Sequence, residues 1–298
     1  MRMKWIKSCF VLALVLVLLA PFAAAQNPVL YDPDKNAAKA KQLVHDAIAA
    51  LGDAAYREYG ELQCEGRMAQ FEHSGGLIGY ANYRNFWHFP DKNRTEVVVT
   101  STNKASFLAV LIGSLPMPVK GGIFVQVFSG NEGWTMDKGG VNEAPATAVS
   151  DFQAAAKHNL RNVLLIKAKQ PDVFLHYAGS TTADLRQVDW LEITDPNEDG
   201  SIRVAFDQTT HLPSRMNVTT KNEETGQVDD DLTIFSNYQL NDGVQTPMQL
   251  THVHNDRRAS QLFYSSCKAN PNLPADFFTK EGLEKHYKET GGKVKEKN

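Results

Sequence analysis

ELQCEGRMAQFEHSGGLIGYANYRNFWHFP, residues 61–90, decides the fold. Leu62, Cys64, Gly66 and Met68 alternate with polar residues, Ser74-Gly75-Gly76 punctuates, and LIGYANYRNFWHF resumes as a second strand ending at Pro90. A period of two sends successive side chains to opposite faces of a pleated strand, so the stretch reads as an antiparallel hairpin with one face toward a core. Gly75-Gly76-Leu77-Ile78-Gly79 belongs to that hairpin. It is not a dinucleotide fingerprint, because it runs from strand to strand and offers no helix N-terminus for a phosphate.

The same reading extends downstream through TEVVVTS (95–101), IFVQVFS (123–129), GWTMD (133–137), DVFLHYAGS (172–180), LRQVDWLEIT (185–194), SIRVAFD (201–207), PSRMNVTT (213–220), DLTIFSNYQL (231–240), PMQLTHVH (247–254) and SQLFYSSCK (260–268). Asn131-Glu132-Gly133, Glu198-Asp199-Gly200, Thr225-Gly226, Asp242-Gly243 and Asn255-Asp256 supply turns between them. Short strands at this spacing predict a mainly β (α+β) chain: an unclosed antiparallel barrel of about 10–12 strands wrapped around helices.

Two helices interrupt the strands. Asp32-Pro33 reads as an N-cap with proline at N1, and Leu43, Val44, Ala47, Ile48 and Leu51 recur at helical spacing until Gly52. TAVSDFQAAAKHNLRNVLLIKAK (147–169) reads as one helix with Ser150 as N-cap and Phe152, Ala156, Leu160, Val163 and Leu164 on one face.

Upstream of the fold, MRMKWIKSCFVLALVLVLLAPFAAAQ combines basic Arg2, Lys4 and Lys7, an apolar run from Cys9 to Phe22, and small residues at Ala23 and Ala25. Residues 1–25 are thus expected to be a signal peptide, removed after Ala25; the apolar run is short for a membrane span. The mature chain is then expected to form one ligand-binding domain over 26–288 with a flexible charged tail, 289–298, and to be a soluble periplasmic monomer. Losing three of the 31 basic residues against 34 acids leaves a net charge of about −6, which argues against nucleic acid as partner. Of three cysteines, Cys64 and Cys267 survive export into an oxidising compartment. They are either a disulfide between first and last strands or two separate half-buried thiols.

Reactive constellations are sparse. Asp195-Pro-Asn-Glu-Asp-Gly-Ser-Ile matches the opening of an EF-hand loop, but Phe206 stands where a bidentate glutamate is needed and strands flank it, so a hairpin turn is expected. His252 and His254 have the i, i+2 spacing that puts two imidazoles on one strand face, as zinc or copper would need, yet no third ligand is nearby in sequence. Asp229, Asp230 and Asp231 alternate faces and cannot converge. No G-x-S-x-G, H-E-x-x-H, C-x-x-C or P-loop pattern occurs, so no cofactor is expected and catalysis is not. The remaining signal is apolar: Trp87, Phe89, Phe107, Trp134, Phe152 and Leu160 are candidate linings of a ligand cavity. The uncharged run SFLAVLIGSLPMPV (106–119) is either a buried strand with a Pro-rich turn or a movable flap over that cavity, with Phe107, Leu108 and Leu111 facing the ligand.

GYANYRNFWHFPDKNRTEV, FVQVFSGNEGWTM, AFDQTTHLPSRM, YQLNDGVQTPMQL and ANPNLPADFF, in that order over residues 40–280, resemble the serial landmarks of the LolA/LolB-like superfamily of lipoprotein-sorting and hydrophobic-ligand proteins. The resemblance implies an unclosed barrel whose concave apolar face is plugged by helices and which binds acyl chains without catalysis. Where the family's lipoprotein carriers place an arginine just before the second-strand proline, this chain has Phe89, and Asn93 stands where they place an aromatic. It therefore lacks the carriers' gating pair. The function expected is a periplasmic carrier for an apolar ligand, a lipid or lipoprotein acyl chain, in outer-membrane lipoprotein sorting. The alternatives are an envelope sensor that binds a membrane protein, and a hydrolase built on His252 or His254.

Overall fold

A computed structural model describes residues 32–99, 123–221 and 226–291. Two compact units divide within the first helix, Met1–Asn36 and Ala37–Asn298. Of the first unit, residues 32–36 are described: Asp32 Oδ1 accepts from the backbone N–H of Asp34 and Lys35, both at 3.1 Å, which is the expected N-cap.

In the second unit, thirteen described strands form one antiparallel sheet: β1 (Glu61–Phe71), β2 (Leu77–His88), β3 (Lys92–Val99), β4 (Ile123–Ser129), β5 (Glu132–Asp137), β6 (Gly140–Glu143), β7 (Phe174–Ala183), β8 (Arg186–Thr194), β9 (Gly200–Asp207), β10 (Pro213–Lys221), β11 (Val228–Asn241), β12 (Val244–His254) and β13 (Arg257–Ala269). The spatial order is β6-β5-β4-β3-β2-β1-β13-β12-β11-β10-β9-β8-β7. Each hairpin pairs with its sequence neighbour, and the first and last strands meet in the middle. The sheet stays unclosed because β6 and β7 are its two edges. β6 is the strand beyond the expected dozen; its four residues follow β5 through a tight turn and carry too short a pattern to read.

The β1/β13 seam holds the two halves together. Cys64 lies directly opposite Cys267 and is bonded to it, at a sequence separation of 203. Of the two readings of the cysteines, the bridge is the one realised. Just beyond, β13 carries an extra residue between the partners of Glu65 and Gly66, and a Cβ on Gly66 would overlap the Phe263 carbonyl oxygen, so glycine is required for the close approach.

Five helices are described: α1 (Pro33–Leu51), α2 (Ala54–Glu58), α3 (Ala146–Lys157), α4 (Leu160–Leu165) and α5 (Lys280–Thr290). The single helix expected over 147–169 is thus two helices and a 3₁₀ turn at Lys167–Lys169. Asn159 breaks it by capping α4, its side chain accepting from the Arg161 N–H at 3.0 Å. Ser150 is not the cap: α3 starts after Pro145, and the Ser150 hydroxyl donates back to the Thr147 carbonyl.

Helices α1, α2 and α4 fill the concave face. Leu43, Val44, Ala47, Ile48 and Leu51 of α1 and Val163 and Leu164 of α4 pack on Leu191, Ile193, Val204, Phe206 and Met216. Each fully buried leucine or phenylalanine here contributes roughly 1.5–3 kcal/mol. The convex face is covered too. Phe278 and Leu283, from α5 and the segment before it, pack on Phe86, Val125, Val127, Trp134 and Met136. Beneath them Glu96 is gripped from both sides, by Arg84 Nη2 at 2.6 Å and Arg94 Nη2 at 2.8 Å, with the Glu96 and Arg94 side chains 4% and 3% exposed.

Two outcomes test this architecture. Serine at both Cys64 and Cys267 should lower the unfolding free energy by about 3–5 kcal/mol, because without the bridge the unfolded chain regains the entropy that closing so long a loop removes; paired urea titrations measure it. Glu96→Gln, which leaves the buried Arg94 guanidinium and the half-buried Arg84 without their shared carboxylate, should cost about 3 kcal/mol in the same assay.

Candidate functional site

Between the concave face and helices α2 and α4 lies a cavity of about 140 Å³, walled by Leu51, Leu62, Trp87, Leu160, Phe235 and Leu250, with Cys64 of the disulfide beside them. Its position follows from strand parity. Leu62 pairs with Trp87 and Cys64 with Asn85, so these four side chains share the face on which the helices pack. Asn85 donates to Thr95 Oγ1 at 2.9 Å.

An aromatic ladder runs along one wall. Tyr59 meets Phe89 edge-on at 5.5 Å, Phe89 stacks on Trp87 at 5.5 Å, Trp87 on Phe152 at 5.9 Å, and Phe152 on Phe128 at 4.5 Å. Burial holds the Tyr56, Tyr59 and Tyr264 phenols well above the usual tyrosine value, so they are neutral across the physiological range. Arg161 closes the ladder: its Cζ lies 4.7 Å from the Tyr59 ring centre and 4.8 Å from that of Phe89. Its Nη2 donates to the carbonyls of Arg57 and Tyr59 at 3.1 and 2.7 Å, tying α4 to the end of α2.

The structure brings Trp87, Phe89 and Leu160 to the cavity wall and Phe152 onto Trp87. Trp134 is not with them. It pairs with Val127 and lies with it under Leu283 on the convex face, whereas the next residue, Phe128, is the one that reaches Phe152. Residues 133–136 are all buried because both faces of β5 are covered, and alternation alone could not choose a side. Phe107, Leu108, Leu111 and the whole of 106–119 lie outside the described residues. Tyr56, Tyr59, Arg161, Phe235 and Leu250 were not anticipated. The Asn159 cap was the available sign that Leu160 and Arg161 begin a separate helix.

Other constellations serve structure. His252 Nδ1 lies 3.1 Å from Thr233 Oγ1, His254 Nδ1 lies 2.8 Å from Asp231 Oδ1, and no group of three or more metal-type ligands gathers among the described residues. The EF-hand-like segment is the β8–β9 turn. Its Asp195 and Glu198 grip Lys167 Nζ at 3.1 and 2.5 Å, anchoring the 3₁₀ turn after α4. These three groups line a larger cleft of about 790 Å³ beside Phe152, which carries charged side chains of both signs.

This architecture, an open antiparallel sheet plugged on its concave face by helices, is a LolA-like fold. It is shared with an outer membrane lipoprotein-sorting domain, so assigned, from Vibrio parahaemolyticus (TM-score 0.51, 13% identity, 84% of this chain and 100% of that one) and with a DUF1329 family protein from Desulfovibrio piger (TM-score 0.55, 14% identity, 85% and 100%). A LolA superfamily protein from Nitrosomonas europaea also aligns, at a TM-score of 0.46 and 14% identity over 82% and 99% of the chains. No protein-family model matches the sequence, and no curated protein matches it at a significant level.

Burial lowers the pKa of His158, His252 and His286; Glu198 partly opposes this at His158, and Asp231 at His252. A base whose folded value is depressed is held neutral by folding, so its stabilisation is complete above the unfolded value, about 6.5, and is lost as pH falls below it. The melting temperature should therefore drop between pH 7 and pH 5, and His252→Gln should flatten part of that drop in a pH-resolved thermal scan.

Proposed function

We propose that the chain is an exported, non-catalytic carrier that holds an apolar ligand, a lipid or acyl chain, against its concave face. The observation that carries this reading is the cavity itself: an apolar wall of aliphatic and aromatic side chains left unfilled between a sheet and its plugging helices. Binding there draws on removal of alkyl surface from water, about 0.8 kcal/mol per methylene. The Cys64–Cys267 bridge fits the oxidising periplasm to which the expected signal peptide, residues 1–25, would send a monomeric domain over 26–288. The shared fold with a lipoprotein-sorting domain supports lipoprotein acyl chains as one ligand class.

Size limits what enters unaided. A cavity of 140 Å³ is close to one that takes a benzene-sized group. A long acyl chain needs α2 and α4 to yield. A series of linear alcohols, followed by Trp87 fluorescence in a Trp134→Phe, Trp190→Phe background, should bind roughly fourfold tighter per added methylene until the cavity is full, then level off. Leu250→Asp should abolish binding. Mass spectrometry of solvent extracts from gently purified protein identifies the natural ligand; a flat alcohol series and an empty extract together would refute a carrier.

A second reading, an envelope module that binds a membrane protein, draws on the free edge of β7, where Phe174 is 67% exposed and Leu185 in the next turn 99%. A stoichiometric protein partner, lost on Phe174→Lys, would favour it.

A further inference from the structure

The cavity of the proposed carrier has one charged residue in its wall, and among the described residues no carboxylate pairs with it. Of the side chains that line it, Arg161 alone is ionised at neutral pH. The arginine–carboxylate pairs among the described residues belong to Arg57, Arg84, Arg94, Arg186 and Arg215. Arg161 has instead two aromatic faces, Tyr59 and Phe89, and two carbonyl oxygens, both on Nη2. Its Nε is buried without any acceptor. Arg161 is half-buried, with its Nε shut off from solvent; ring faces and carbonyls orient a guanidinium but do not neutralise it, which leaves the charge free to pair with an anion that can reach it.

We propose that Arg161 makes this site selective for a monoanionic amphiphile, a carboxylic acid whose apolar body lies along Leu160, Leu250 and Phe235 while its carboxylate meets the guanidinium. This rests on the carrier reading and narrows it, from any apolar ligand to an acid. The size of the cavity sets the body: a ring or a short alkyl chain fits as the structure stands. One negative charge is also the limit, since no second cation lines the wall. A neutral ester or amide of the same shape would keep the apolar contact and leave Arg161 uncompensated.

Calorimetric titration with benzoate against benzamide, and hexanoate against hexanamide, compares ligands of matched shape that differ in charge. The wild-type protein should bind each acid at least roughly tenfold more tightly than its amide, an excess that shrinks as salt is raised. Arg161→Gln should bind acid and amide alike; Arg161→Lys, which keeps the charge, should retain part of the preference. Retained amide binding also reports that each variant is folded, and if Arg161→Gln does not fold, the wild-type ratio and its salt dependence decide. Equal affinity for acid and amide in the wild type, or an acid preference that survives Arg161→Gln, overturns the assignment while leaving the carrier reading intact. No binding of either member of either pair overturns both.

Discussion

The pairing of the first strand with the last is the constraint on which the rest of this structure depends. Every other pair of neighbours in the sheet is consecutive in sequence, so β1 to β6 and β7 to β13 are two meanders that would each form an edge at Glu61–Phe71 and at Arg257–Ala269. Joining them demands closure of a loop of about 200 residues, and the entropy of that closure is what the Cys64–Cys267 bond relieves. Gly66 belongs to the same joint, since the bulge opposite it brings the backbone of β13 too close for a side chain. The result is a curved floor wide enough for three helices.

What those helices leave unfilled is the site. α1 packs densely over β8 to β10, where Leu191, Val204 and Phe206 are fully or almost fully buried. α2 and α4 are short, five and six residues, and cover the seam region less completely. Arg161 is fixed there by the carbonyls at the end of α2, so the charge is held by backbone geometry and not by an acid. The ladder from Tyr59 to Phe128 makes that wall stiff, while the opposite wall, Phe235 and Leu250, belongs to the sheet.

Most of the sheet was legible because alternation is a direct image of a strand with one covered face: Leu62, Cys64 and Met68 read correctly, and so did the turns at Glu198–Gly200, Asp242-Gly243 and Asn255-Asp256, while Thr225 lies outside the described residues. The pattern failed where its premise failed. In β5 both faces are buried, one beneath α5 and the other toward α3, so Trp134 and its neighbours carry no periodicity and Trp134 was assigned to the wrong side. β6 is shorter than two periods. The helix over 147–169 kept its apolar face through the break at Asn159, because α3 and α4 pack on the same side; only the capping amide marked the interruption. At the site, Trp87 and Phe89 were accessible as large apolar residues at the end of a hairpin, and Phe152 and Leu160 as residues on one apolar helical face. Arg161 was not, because nothing local distinguishes an arginine without a carboxylate from one that has found its partner across the fold.

Because the chain ends are joined at the centre of the sheet, its two free edges fall in the middle of the sequence, at β6 and β7, bridged by the segment that contains α3 and α4. Separating those edges breaks no rung of the ladder. The sheet is thus laid out as a split ring, with the covalent clasp at its mid-line and the helical connection spanning the gap. Leu160 and Arg161 ride on that connection while Leu62, Trp87 and Leu250 belong to strands near the clasp, so the two walls of the candidate cavity are carried by opposite parts of the ring.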